Sequence, residues 1–329
     1  MFKNTILITL ALTFVVIVVG AYVRLTDAGL GCPDWPGCYG KITPKLAAKE
    51  IEKTVAAQGG THGPVSMQKA WNEMAHRYLA GALGLLILAI TVMAWAWRKR
   101  LAQPPLLATA LLGLVMFQAA LGMWTVTMLL KPVIVTLHLL GGMATLALVT
   151  WLALRQMRLP SIDTRRARCL RPWAALGLAL LVLQIALGGW VSTNYAALAC
   201  IDLPTCHGEW MPRMAFKHGF QLVRELGMTA AGERLSYDAL TAIHWTHRVG
   251  ALVVTLYLAM LLFAAGRVAG MGGYALAAGA LLATQVALGA ANILTGLNLT
   301  VAVAHNACAA LLLVALVVLN FALSLRSRF

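Results

Sequence analysis

The sequence predicts an all-α integral membrane protein of eight transmembrane helices, built as two tandem four-helix bundles related by a pseudo-two-fold axis along the membrane normal. Three observations predict it: an apolar composition, eight apolar runs of spanning length, and a repeat that divides the chain in two. Of 329 residues, 60% are hydrophobic and only 11% charged, and the mean hydropathy is +0.80. A soluble domain carries nearer a quarter charged residues, so an ordinary cytosolic enzyme is excluded.

A bilayer crossing takes about 20 consecutive apolar residues. Runs of that kind fall at roughly 4–24, 72–97, 105–125, 133–154, 172–192, 241–265, 273–292 and 301–324. Two long polar segments, 25–71 and 193–240, interrupt them. The first run opens with Lys3 and could be read as a signal peptide. Its apolar stretch exceeds the usual 7–15 residues and leads straight into Tyr22-Val23-Arg24, so it reads as a retained anchor.

The chain carries Lys+Arg 26 against Asp+Glu 11, a formal +15. In a soluble protein that excess would suggest nucleic acid; here its distribution decides otherwise. With the N-terminus inside, the inner side collects Lys3, Arg98, Lys99, Arg100, Arg155, Arg158, Arg165, Arg166, Arg168, Arg171, Arg267, Arg326 and Arg328 against Asp163 alone. Short loops rich in Lys and Arg are cytoplasmic, so both termini are placed inside. No nucleic-acid partner is needed; the partner of this surface is membrane lipid.

Displaced by about 168 residues, the halves align. Gly20-Ala21-Tyr22-Val23 falls on Gly188-Gly189-Trp190-Val191. Cys32, Asp34, Pro36 and Cys38 fall on Cys200, Asp202, Pro204 and Cys206, sharing C-x-D-x-P-x-C. His76-Arg77 matches His247-Arg248, Gln118 and Gly122 match Gln285 and Gly289, and His138 matches His305. Apolar coincidences are cheap in a membrane protein, but ordered matches of Cys, His, Pro, Asp and Gln are not. Four spans per unit, an even number, make these parallel repeats. The resulting organisation is an N-terminal repeat over 1–155, a basic cytoplasmic linker over 156–171 and a C-terminal repeat over 172–329.

Four of the six cysteines (Cys32, Cys38, Cys200, Cys206) lie in the outer segments, where an oxidising compartment permits disulfides. Five intervening residues with a proline can bring each pair within bridging range. Free thiols are the alternative; a zinc site would need more ligands than His207 beside Cys206 supplies. Cys169 and Cys308 read as unremarkable thiols.

His62, His207 and His218 fall in outer loops and read as solvated. The other histidines lie in or at the ends of spans, where an isolated one is ordinarily a hydrogen-bonded interior residue. The repeat changes that expectation. His76 with His138, and His247 with His305, place one histidine on each of two helices of one bundle, twice. That is what bis-histidine haem ligation requires. Gly81, Gly84, Gly141 and Gly142 would leave room for a macrocycle, or simply allow close helix packing. All four histidines come near the outer ends of their helices, so two haems would lie at one level instead of being stacked across the membrane.

The halves diverge beside one ligand. Glu73 stands one turn before His76, on the same helix face; His244 takes its place before His247. Glu73 reads either as an anchor at the membrane interface or as an acid/base or charge-stabilising group beside the macrocycle. Arg77, Arg248 and His244 are candidates for a supporting role around the ligands.

At these residues the chain resembles the haem A synthases of aerobic respiration. The stretch Gly20 to Cys38 is similar to the family's first-loop signature, and Lys69 to Tyr78, containing Glu73, His76 and Arg77, to its second. The resemblance covers almost the whole chain. It implies oxidation of the C8 methyl of haem O to the formyl of haem A by successive hydroxylations. It implies substrate haem O on the iron ligands His76 and His138, resident haem b on His247 and His305, and Glu73 as the essential carboxylate. It implies disulfides Cys32–Cys38 and Cys200–Cys206, a place in the bacterial inner membrane, a haem O synthase as supplier, and an electron donor whose identity the sequence leaves open, as it does any homo-oligomer. Two other classes compete: a di-haem b-type electron-transfer protein that modifies no haem, and a tandem-repeat transporter. The first would not need Glu73 beside only one site; the second would show broken helices near the midplane.

Overall fold

In the computed structural model, residues 1–101, 104–157 and 165–325 are described. They form α1 (Phe2–Leu25), α2 (Ala48–Ala57), α3 (Met67–Ala96), α4 (Leu106–Thr127), α5 (Pro132–Arg155), α6 (Arg165–Thr193), α7 (Phe216–Gly219), α8 (Tyr237–Gly266), α9 (Gly272–Leu294) and α10 (Leu299–Ser324). Among the described residues there is no strand, only isolated bridges. All the helices except α2 and α7 are long and apolar enough to cross a membrane, so the all-α, eight-span expectation holds and this is a multi-pass membrane protein.

Several helices are longer than hydropathy predicts. α3 starts at Met67 because Ser66 caps it, its hydroxyl accepting the Lys69 N–H at 3.2 Å. Ser236 caps α8 in the same way through Ala239 N–H at 3.3 Å. Caps of this kind sit in polar turns that an apolar window excludes. α6 begins at Arg165, ahead of Pro172, so residues 165–171 of the expected linker are helical. The charge assignments on Arg158, Asp163, Arg326 and Arg328 lie outside the described residues.

The packing follows from which faces are apolar. α1, α3, α4 and α5 close one ring of neighbours; α6, α8, α9 and α10 close the other. The seam between them is made by α1 and α5 against α6 and α10. α10 is the most buried of the spans and α9 the least, as expected for a seam helix and a peripheral one. One core gathers Leu258, Leu261, Leu312 and Leu316; a second gathers Ile6, Ile87, Ile90 and Leu111. Leu85, Val92, Leu256 and Phe263 are exposed, which in a bilayer means lipid-facing and costs nothing.

At the end of the seam that carries the disulfide loops, matching residues touch. Arg24 donates to the Ser192 carbonyl at 2.6 Å, and the Tyr195 hydroxyl donates to Asp27 at 2.7 Å. The Arg24 guanidinium also lies 4.0 Å from the centre of the Tyr195 ring. Residues 192 and 195 are the repeat counterparts of 24 and 27.

The two loop cysteine pairs, Cys32–Cys38 and Cys200–Cys206, are bonded, each with α-carbons 4.9 Å apart. The shared C-x-D-x-P-x-C pattern has a physical reason. The Asp34 carboxylate accepts the N–H groups of Tyr39 and Gly40, each at 2.6 Å. Asp202 accepts those of His207 and Gly208 at 2.8 and 2.9 Å, and the Thr205 hydroxyl at 2.6 Å. The Thr205 hydroxyl, followed by these backbone donors, holds the Asp202 carboxyl well below the usual carboxylate range. Tyr39 and Gly40, like His207 and Gly208, sit at positive φ, which accounts for the glycine two places after the second cysteine of each loop.

Candidate functional site

α3 and α5 bring His76 and His138 together, with ring centroids 6.5 Å apart and planes at 82°. An imidazole nitrogen lies about 2 Å from a metal it ligates, and its ring centroid roughly 1.2 Å behind it, so two axial imidazoles on one ion place centroids about 6.4 Å apart. Nδ1 of each ring is buried without a side-chain partner, and the rings meet the backbone of Val16 and Gln118, which leaves Nε2 as the nitrogen free to ligate. In the second half His247, on α8, stands close enough to His305, on α10, for direct electrostatic interaction. Among the described residues no group of three or more His, Cys, Asp or Glu could hold a bare metal ion. Two imidazoles leave an octahedral ion four ligands short, and a tetrapyrrole supplies those four. The residues therefore fit a haem better than any protein-only metal centre.

Each of these rings is backed by a glycine of a neighbouring helix. A Cβ on Gly20 of α1 would lie 2.9 Å from Cε1 of His76, and one on Gly188 of α6 would lie 3.0 Å from that of His247. Gly122 of α4 and Gly289 of α9 would each come within 3.2 Å of Cε1 of His138 and His305. These are the glycines that matter, and the repeat alignment displays them at matching positions. Of those expected to make room for a macrocycle, Gly81 and Gly84 do face open space, whereas Gly141 admits the side chain of Gln118. That amide donates to the His138 carbonyl at 2.8 Å. Gly188→Val is expected to displace the His247 ring at an overpacking cost of about 1–3 kcal/mol. The haem-to-protein ratio of the purified variant checks it; a wild-type ratio would show that the ring has room to move.

Glu73 is 4% exposed, so it is no interface anchor. One carboxylate oxygen accepts the Cys32 N–H at 2.9 Å and the other is paired with Arg77. Arg77 in turn donates to the carbonyls of Asp34 and Gly37 at 2.7 and 2.5 Å. Glu73 and Arg77 together clamp the first disulfide loop onto α3, directly above His76. The second half builds the same clamp from other atoms. His244 Nδ1 accepts the Cys200 N–H at 3.2 Å, and Arg248 donates to the carbonyls of Cys200 and Thr205, each at 2.8 Å. The histidine is thus the counterpart of the carboxylate in space as well as in sequence, but it brings no fixed negative charge.

Residues 3–317 match the cytochrome oxidase assembly protein family, COX15-CtaA. The chain belongs to that family. Relatives include the haem A synthase of Shewanella oneidensis, 43% identical over 95% of this chain and 94% of that protein. The haem A synthase of Rhizorhabdus wittichii is 29% identical over 95% and 91%, and that of Halalkalibacterium halodurans 27% identical over 88% and 86%.

The other histidines of the chain, His62, His207 and His218, are peripheral. His62 and His207 are exposed and His218 half-buried, with His207 stacked on Tyr237 and its Nε2 2.8 Å from the Ala199 carbonyl. Cys169 is an exposed thiol and Cys308 a buried one. Sequence reasoning missed Gln184, whose amide Nε2 lies 2.9 Å from His247 Nδ1. Only an imperfection in the repeat could have revealed it, since the residue 168 places earlier is Val16.

Proposed function

We propose that the protein is a haem A synthase that oxidises the C8 methyl of haem O to the formyl of haem A, with a resident haem b as cofactor. One observation carries this reading: the chain holds two copies of a two-imidazole site, and only one of them has a carboxylate one helical turn from its ligand. In this reading residues 1–155 form the substrate half and residues 172–329 the cofactor half, joined through the 156–171 segment. The mirrored pattern of helix pairings, and the contacts of Arg24 and Asp27 with their own counterparts, support a pseudo-two-fold axis along the membrane normal. The basic inner loops support a bacterial inner-membrane placement with both termini cytoplasmic and the haem sites near the outer face.

Next to the clamp that Glu73 and Arg77 make on the first disulfide loop, His76 and His138 would hold the iron of haem O. The Gly20 and Gly122 backbones let the two rings stand behind it. Glu73, anchored by Cys32 N–H and Arg77, keeps a negative charge beside the substrate, where it stabilises positive charge developing during methyl oxidation or accepts a released proton. Arg77 orients that carboxylate. His247 and His305 hold haem b, which when bound supplies one-electron redox chemistry. His244 and Arg248 keep the second loop folded onto α8. In this reading haem O arrives from a haem O synthase, and the successive hydroxylations draw on an electron donor.

Haem extraction and mass analysis of the purified protein test the proposal. Haem b together with haem O, its hydroxylated form or haem A is the expected set. Haem b alone, in a cell that makes haem O, would overturn it in favour of a di-haem electron carrier.

A further inference from the structure

Behind one ligand of each pair the two halves differ by two substitutions that compensate each other. In the second half the Gln184 amide lies 2.9 Å from both Nδ1 and the backbone carbonyl of His247. It fits because position 250 is glycine: a Cβ there would collide with the Gln184 oxygen. In the first half the counterparts of Gln184 and Gly250 are Val16 and Leu79. Nδ1 of His76 accordingly has no side-chain partner, and the ring meets only the Val16 backbone. A polar group and the gap that admits it have been exchanged together for two apolar side chains.

A metal-ligating histidine is held in one orientation and one tautomer by whatever its second ring nitrogen bonds, and that partner makes the ring a stronger donor. With Nε2 on iron, Nδ1 carries a hydrogen and needs an acceptor. The Gln184 oxygen is buried and has no other partner, so a turn of the terminal amide supplies one in exchange for its N–H bond to the His247 carbonyl. His76 has no such side chain and meets only the Val16 backbone.

We propose that Gln184 is the positioning residue that makes the C-terminal haem permanent, and that the Val16–Leu79 pair leaves His76 with a backbone contact and no side-chain partner, so that the N-terminal site can release its macrocycle as product. The inference rests on the reading that His247 ligates a resident haem.

The test uses the purified full-length protein with Gln184→Val, Gln184→Glu, and the double change Val16→Gln with Leu79→Gly. Two readouts are followed: the midpoint potential of the low-spin haem b, and the rate at which haem passes to added apomyoglobin. Removing the acceptor in Gln184→Val raises the potential and speeds haem b loss tenfold or more, the lower end of what outer partners of metal ligands contribute. Gln184→Glu, a stronger acceptor of the same size, lowers the potential. A merely structural role for Gln184 does not predict shifts of opposite sign. The double change slows haem release from the N-terminal half. Equal potentials in all variants, shifts of one sign, or unchanged haem loss in Gln184→Val would overturn the inference. Survival of the haem b spectrum in His247→Ala would instead overturn the ligand assignment beneath it. The two failures are therefore distinguishable.

Discussion

Alanine at His247 or at His305 is expected to abolish the low-spin haem b spectrum, while alanine at His76 or His138 leaves it in place. The expectation follows from the count of ligands. Each half offers two imidazoles, and among the described residues no third His, Cys, Asp or Glu joins them in a group that could hold a metal ion, so the loss of one imidazole removes half of the ligands the protein supplies. The rings are also held by their surroundings: Gly188 and Gly289 press on His247 and His305 from behind, so an adjacent helix cannot slide in a substitute without opening the bundle. The same deletions in the first half remove the substrate site and leave the cofactor. The measurement is the reduced-minus-oxidised spectrum of each purified variant, normalised to protein. An intact b-type spectrum in both second-half variants would show that the resident haem belongs to the other half.

Much of this was legible in the residues, and what was not has a common cause. The spans were visible because an apolar run of about 20 residues is longer than the buried face of a soluble core needs and matches the thickness of a bilayer. The two sites were visible because rare residue types recur at one offset, and a histidine that recurs in register is hard to attribute to chance. The sequence could not show α2, or the capped turns that lengthen α3 and α8, because their polar residues read as loop. It also suggested two roles for Glu73, surface anchor or reactive group, and neither describes its bonds. The carboxylate reaches a backbone N–H 41 residues away, a contact between a side chain and a loop that no periodicity encodes. Gln184 escaped for a related reason: its partner lies 63 residues on, on another helix, and a single glutamine in a span looks like tolerated polarity until Gly250 is seen to make space for it.

Because Glu73 is a clamp, the usual conservative change is a poor test of its chemistry. Glu73→Gln leaves one amide oxygen for two donors, Cys32 N–H and the Arg77 guanidinium, and turns its own NH₂ toward whichever it does not accept. Lost activity could then come from a loosened loop. The second half supplies the better variant. His244 holds Cys200 N–H with a neutral ring nitrogen, so Glu73→His transplants a clamp this fold already uses while removing the carboxylate. The disulfide loop should stay as resistant to protease as in the wild type, and haem b content should be unchanged. Conversion of haem O should nevertheless fall by about 10²–10⁴-fold, the usual worth of a positioned acid/base group, with haem O or its partly oxidised form accumulating on the protein. The ratio of haem A to haem O in cells carrying only this variant is decisive. A wild-type ratio with an intact loop would reduce Glu73 to its structural duty, and the negative charge beside the substrate would have to come from elsewhere.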